Sequence, residues 1–507
     1  MNPSMNPEAN IDINLLTKEK LQSIYNHSAD ILIFSKFYRT NAISSRYYMN
    51  PPVEMVFVMS EVFIQKDFFK ETVLPSIAQT FEQTGFSSIQ QLQDSPLISW
   101  IVVASPAPEQ SINARIMSNL LFEGNILCII PSLKVMMSIN SAQIPTRTPE
   151  ESSSEPTIRG PKDGFIEDIS TNIALIRKRV RSEQLTVETY SIGTLTDTKL
   201  ALLYIDSIAN EKLIKMIKDR IANIDVEQLV TTGQLEELVG DSTYLFPTVD
   251  YSSRPDFISE CLLNGRFVLI LDNNPMAIIA PGNFFSLLKS PEDSYFPLFA
   301  SNVGHIFRIT ALLISIFIPS FYIAISTFHP DQLPFTLLAT IALSRTGIPM
   351  EASIEMFLIM SFMELFREAS IRMPSNMAQT ITVVGGLIMG EAAIRAGLVS
   401  PIIIVVAAIS IITGATLVNQ SLTSSVVFFR FLAFLFGATL GIYGFIIAYI
   451  LFLLFLSRLH SFGVPYLAPL APFSLRNLLI SIFQVPLRYR IGRPDYLHTK
   501  KQKKDES

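Results

Sequence analysis

The run Ile309–Phe328, ITALLISIFIPSFYIAISTF, holds twenty residues without one charge. At about 1.5 Å of rise per residue, a helix of that length matches the ~30 Å hydrocarbon core of a bilayer. Gly397–Val418 and Phe431–Ser457 repeat the pattern, so residues 305–460 read as an all-α helical transmembrane domain. Between these runs, Met377–Glu391 is shorter and glycine-rich, while Leu333–Leu343 and Ile354–Phe366 are short or interrupted by Glu355 and Glu364. That composition fits a fourth crossing plus a re-entrant or interfacial pair. Downstream, residues 461–507 form a basic tail with Arg476, Arg488, Arg490, Arg493, Lys500, Lys501, Lys503 and Lys504 against three acids, which the positive-inside rule assigns to the cytosol. The polar residues up to Asp30 lack the basic start and apolar core of a signal peptide, so the N-terminal part is expected in the cytosol too. With both ends on one side the crossings must be even in number. Four of them leave Arg345, Arg367 and Arg372 on the outer side, against the same rule.

Upstream of Arg308 the sequence mixes charge with short apolar runs. Ser141–Gly164, SAQIPTRTPEESSSEPTIRGPKDG, has the Ser-, Pro- and charge-rich composition of a linker. On either side lies a weak internal repeat. MVFVMS (Met55–Ser60) and ALLYID (Ala201–Asp206) each precede a helical stretch, and LLFEGNILCIIPSLKVMMSI (Leu120–Ile139) and CLLNGRFVLILDNNPMAIIA (Cys261–Ala280) each close a unit. Gly124 and Gly265 align, each followed by two apolar runs around a turn, which is the pattern of a β-hairpin. The expected organisation is a polar N-terminal extension (1–50), an α/β subdomain (51–140), the linker (141–164) and a second, related α/β subdomain (165–304), all cytosolic, before the membrane domain.

The whole chain of 507 residues is 49% hydrophobic and 16% charged with a mean hydropathy of +0.37, too apolar for an ordinary soluble protein. A net charge of −5 offers nothing to a nucleic-acid backbone. Cys128 and Cys261 stand apart from each other and from histidine, so no disulfide framework, metal site or cofactor is expected. Phosphate-loop, zinc-protease and nucleophile-elbow motifs are all missing, which leaves an enzyme without catalytic residues to name.

The chemistry that remains lies in the membrane region. In QTITVVGGLIMGEAAIRAG (Gln379–Gly397) the glycines permit close helix approach and Thr380 and Thr382 bring hydroxyls to membrane depth. The segment is a packing helix or a pore helix, with Thr382, Val383, Gly386, Met389 and Gly390 as candidate pore-lining residues. Gly437 and Gly441 repeat the G-x-x-x-G spacing of Gly386 and Gly390. Ionisable groups are costly in a bilayer, which singles out Glu355, Glu364, Glu391 and Arg395; Glu391 and Arg395 are also spaced to pair at i,i+4. Further upstream, Ile166–Ser182 reads as an amphipathic helix ending in Arg177, Lys178, Arg179 and Arg181. Those cations either complement the helix dipole or meet anionic lipid headgroups.

Several stretches carry a resemblance: SSEPTIRGPKDGFIEDISTNIALIRKRVRS, RPDFISECLLNGR, PSFYIAISTFHPDQLPFTLLATIALSRTGIPMEASIEMFLIM, ELFREASIRMPSNMAQTITVVGGLIMGEAAIRAGLVSP and SFGVPYLAPLAPF. Together, over about Glu155 to Arg493, they resemble A subunits of GerA-type spore germinant receptors. The resemblance implies a protein of the spore inner membrane that works with a transporter-like B subunit and a lipoprotein C subunit. It also implies a homo-oligomer in contact with membrane lipid that passes monovalent cations when nutrient binds. By position, Arg159, Gly160, Pro161 and Asn172 match the family's cytosolic motif, Arg254 and Pro255 its second-subdomain motif, and Gly385, Gly386 and Glu391 its glycine-rich helix. Ser253 stands where the family pattern has an acid. A SpoVAF-type paralogue associated with the dipicolinate channel, or a non-conducting membrane scaffold, is the alternative.

Overall fold

The computed structural model describes residues 10–11, 18–25, 28–38, 53–61, 64, 69–84, 101–104, 112–122, 124–133, 135–140, 155, 157–241, 245–373, 390–471, 473–474, 478–479, 483–484 and 493–500. Two compact units emerge. The first comprises Met1–Gly240, Tyr251–Pro281 and Ile491–Ser507, the second Asp241–Asp250 and Gly282–Arg490.

In the first unit, strands β1 (Ile31–Tyr38), β2 (Val53–Ser60), β3 (Ile101–Ala104), β4 (Asn125–Ile130) and β5 (Val135–Asn140) form an antiparallel sheet in the order β1-β2-β4-β5-β3. Alternate residues of β2 face opposite ways. Val56 and Val58 pack with helices α1 (Lys18–Ile24) and α3 (Ala114–Phe122), while Phe57 and Met59 pack with α2 (Leu74–Thr84). Burial on both faces explains why the strand reads as an unbroken apolar run. It also pushes the Cys128 thiol well above its ordinary value.

A second sheet follows helix α4 (Ile169–Arg179). Its strands are β6 (Leu185–Ile192), β7 (Thr198–Ile205), β8 (Asp250–Ser252), β9 (Phe267–Leu271) and β10 (Ala277–Ala280), in the order β8-β10-β9-β7-β6. Helices α5 (Glu211–Ala222), α6 (Thr232–Val239) and α7 (Pro255–Leu263) complete it. The weak sequence repeat is a structural one. Each sheet has an antiparallel pair (β1–β2, β6–β7) whose inner strand is followed on its other side by a hairpin (β4–β5, β9–β10). Each hairpin is preceded by a helix ending at a glycine of positive φ, 86° at Gly124 and 96° at Gly265, a conformation glycine adopts without a Cβ penalty.

On one face of the second sheet Glu188 accepts hydrogen bonds from Tyr190 (2.7 Å), Tyr204 (2.7 Å) and Lys218 (2.6 Å). Burial alone would raise its carboxyl, but the Lys218, Tyr190 and Tyr204 hydrogen bonds outweigh it and hold the group below the ordinary 4.5. A carboxylate depressed in the folded state stabilises above its unfolded value and loses that stabilisation as pH falls through the folded one. Glu188→Gln is therefore expected to destabilise at neutral pH, with the gap to wild type closing in unfolding scans run progressively below pH 4.5. A constant gap across that range would contradict the assignment.

The first unit recovers the end of the chain. Leu497 is buried, Asn210 donates to its carbonyl at 3.3 Å and the Lys500 amide donates to Ile208 at 3.1 Å. The Lys500 ammonium lies 3.4 Å from Asp206 and 3.2 Å from Glu211.

The second unit is helical: α8 (Leu298–Ile323), prolonged by a wider turn over Ala324–Phe328, then α9 (Phe335–Ser344), α10 (Ala352–Ile371), α11 (Pro401–Ala415) and α12 (Gln420–Arg458). Leu298–Phe328 and Ser421–Arg458 are long and apolar enough to cross a membrane. The second of these is not one rod. Gly441 has φ 61° and ψ −137°, and the Phe429 ring lies 5.2 Å from both Phe452 and Phe455. Residues that far apart in a straight helix would be separated by about 35 Å. Residues 420–440 and 442–458 are therefore antiparallel arms, which corrects the expectation of a single span over Phe431–Ser457. Hydropathy sees no break there, because the glycine that folds the helix sits inside a charge-free run.

Helix α11 is also shorter than its apolar run. Gly397 takes φ 65°, Ser400 caps the helix and Pro401 opens it, leaving 15 residues and a length of about 22 Å. Leu312, Leu417, Leu422 and Leu459 share one cluster, and Ile323, Ile403 and Phe434 another. Thus α8, α11 and the two arms alternate in direction.

Candidate functional site

Of the candidate pore-lining residues, Thr382, Val383, Gly386 and Met389 lie outside the described residues, as does Gly385. Gly390 lies in a helical stretch described over residues 390–395. Beyond its own turn of helix, a methyl group built there meets no atom of the described residues within 4 Å. Gly437 differs. A methyl there would lie 2.8 Å from the Ser320 carbonyl and 3.2 Å from its Cα, and the Ser320 hydroxyl donates to Ala433 at 2.7 Å. The Gly437/Gly441 pair is thus a seam between α8 and the folded α12.

The four candidate charges have three different settings. Glu391 and Arg395 pair along one helix turn at 2.5 Å with side chains 57% and 78% exposed. Glu364 is half-buried and pairs with Arg367, whose Nε lies 2.7 Å away. Glu355 has no exposed surface. One of its oxygens accepts the Ser400 amide at 2.9 Å, at the N-terminus of α11, and the other faces Arg345 at 3.4 Å.

The sequence did not single out Arg430. It lies buried in α12, donating to the Ser315 carbonyl (2.9 Å), the Ser315 hydroxyl (2.6 Å) and the Ser410 carbonyl (3.4 Å). Ser315 and Ser410 donate to each other's carbonyls at 2.8 and 2.7 Å. This guanidinium joins three helices through neutral oxygens. Its signal was a charge beside an apolar run, with serines inside two other apolar runs.

In the first unit the structure brings the two motif stretches together. Phe165 donates its amide to Ser253 at 2.7 Å, and Glu155 accepts from the Ser252 hydroxyl (2.9 Å), the Ser253 amide (2.9 Å) and the Ser253 hydroxyl (3.1 Å). A carboxylate thus reaches Ser253 from the linker side. Arg159 is exposed, and Gly160 and Pro161 are half-buried. Asn172 is fully buried and grips the backbone of Ile166, accepting from its amide at 2.9 Å and donating to its carbonyl at 2.6 Å. Arg254 is buried against Asp256 at 2.7 Å, and Pro255 is the first residue of α7.

The basic end of α4 is mostly committed inside the unit. Arg179 meets both oxygens of Asp163 at 2.7 Å, while Lys178 and Arg181 are exposed. Arg177 is fully buried and grips Asp30 through Nε at 2.8 Å and Nη2 at 3.0 Å. It also donates to Ser28 (3.1 Å) and the Ser182 carbonyl (3.0 Å) and lies 4.9 Å over the Phe122 ring. Ser28 accepts the Val187 amide at 2.9 Å and Ala29 donates to the Val187 carbonyl at 2.8 Å. Arg177 therefore ties the segment before β1 to the edge strand β6, a contact that rules it out as a lipid-facing cation.

A family model described as Bacillus/Clostridium GerA spore germination protein matches residues 19–496. Spore germination protein XA of Bacillus anthracis is 40% identical over 432 residues, 85% of this chain and 87% of that protein. Membrane protein YfkQ of Bacillus subtilis is 34% identical over 75% of this chain and 74% of its own length. Among solved structures, the N-terminal domain of the A subunit of the Bacillus megaterium spore germinant receptor GerK3 aligns with TM-score 0.39 and 25% identity over 54% of this chain and 98% of that one. With nearly its whole length matched, the chain belongs to the GerA family of spore germination proteins.

Proposed function

We propose that this chain is the A subunit of a nutrient germinant receptor. In this reading it lies in the spore inner membrane with both termini in the cytosol, works with a transporter-like B subunit and a lipoprotein C subunit, and assembles as a homo-oligomer that passes monovalent cations when nutrient binds. Membership of the family and the apolar helices of the second unit support the receptor and membrane parts. The observation that carries the conducting part is the open space around Gly390. A glycine at the end of a glycine-rich segment, with no atom of the other described residues within reach of a methyl group there, suits a helix that meets other copies around a narrow path.

Potassium release from liposomes holding the chain with its B and C partners tests the proposal. Nutrient-dependent release that Gly386→Leu abolishes is the expected result. Release unaffected by the substitution would move the path elsewhere, and no release from either protein would leave the non-conducting scaffold.

A further inference from the structure

A carboxylate with no exposed surface must be neutralised by a cation or a proton, and Glu355 is poorly provided. The Ser400 amide, at the positive end of α11, offers a fraction of a charge. The Arg345 guanidinium stands 3.4 Å away, whereas charge-assisted N–H···O contacts are about 2.7–2.9 Å. In the same chain Arg177 meets Asp30 at 2.8 and 3.0 Å. Arg345 is loosely seated: its contact to the Met350 carbonyl is 3.3 Å, its Nε is buried without a partner among the described residues and its side chain is 28% exposed.

Both contacts of Arg345 are made by one atom, Nη2. The Met350 carbonyl and the Glu355 carboxylate oxygen therefore converge on a single point.

We propose that this point, held here by Arg345 Nη2, is a seat for a monovalent alkali cation. A carboxylate oxygen and a backbone carbonyl are hard oxygen ligands of the kind such ions take. One carboxylate balances one charge, whereas a divalent ion would call for more. Arginine does not shed its proton at any working pH, so it frees the seat by swinging out, which its partial exposure allows. Arg345 is thus a built-in competitor for the seat. The inference rests on the reading of the chain as a conductor of monovalent cations, because it places one stopping point for them.

Radioactive rubidium binding to the full-length chain in nanodiscs tests the seat without requiring conduction. Arg345→Ala removes the competitor and should bind rubidium at least about tenfold tighter than wild type. Arg345→Lys keeps a positive charge in place and should resemble wild type, and Arg345→Ala with Glu355→Gln should lose the tight binding. Equal affinity in Arg345→Ala and wild type, or tight binding that survives loss of the carboxylate, overturns the seat. Should the doubly substituted chain fail to insert, the comparison of Arg345→Ala with wild type and Arg345→Lys decides alone. Tight rubidium binding by Arg345→Ala beside a wild type that releases no potassium would uphold the seat and sink the channel. The reverse pattern would sink the seat alone.

Discussion

Arg177→Ala is expected to cost the first unit about 3–5 kcal/mol, the range for removing one partner of a buried ion pair. The loss has two parts: Asp30 is left as a buried charge, and the bridge through Ser28 to Val187 loses the group that orients it. The chain supplies its own probe. Its two cysteines, Cys128 and Cys261, are both free, buried and inside this unit, so a thiol-reactive dye added during a thermal ramp reports that unit's unfolding and no other. A midpoint far below wild type is the expected reading. Arg177→Met combined with Asp30→Leu should recover much of it, since apolar replacement of a whole buried pair is often nearly neutral. A shift below about 1 kcal/mol in the single variant would mean that the pair is no stronger than a surface contact.

Gly441→Val should disrupt the second unit severely. The φ of 61° with ψ −137° lies where residues with a Cβ are strained, at about 1–3 kcal/mol. The new Cβ would also stand 2.8 Å from the Phe328 Cβ, which adds an overpacking cost of about the same size. The arms of α12 should then part. With both native cysteines replaced, Phe429→Cys and Phe452→Cys should be joined by a short bis-maleimide when residue 441 is glycine and should lose that cross-link when it is valine. Gly390→Ala, where the added methyl meets no atom of the other described residues, should leave the yield unchanged. Efficient cross-linking in the valine variant would show that the fold-back is set by the arms and not by the turn.

These two sites also mark where sequence reasoning stopped. The fold class was legible because it rests on features that span many residues: apolar runs for the helices, and the Gly124 and Gly265 hairpins for the related sheets. Arg177 was not. It stands in a run of cations at a helix end, where local rules assign it to the dipole or to lipid, and its partner lies 147 residues away. The turn at Gly441 was hidden because a window of hydropathy measures composition and not direction. Glu355 was flagged as an ionisable group at membrane depth, but no local pattern could reveal that Ser400 and Arg345 meet it from either side. Glu391 with Arg395 is the opposite case, since a spacing of four within one helix fixes the contact by itself.

The segment around Leu497–Lys500 has a bearing on biogenesis. It is made after every apolar helix of the second unit, yet its seat is on residues 206–211 and 263–265 of the first. The ribosome has therefore delivered the whole of the helical unit before the first unit can close its last contacts. A chain stalled in synthesis before Leu497 carries an α/β unit with the Leu497 site open, which distinguishes it from one in which that segment has been made.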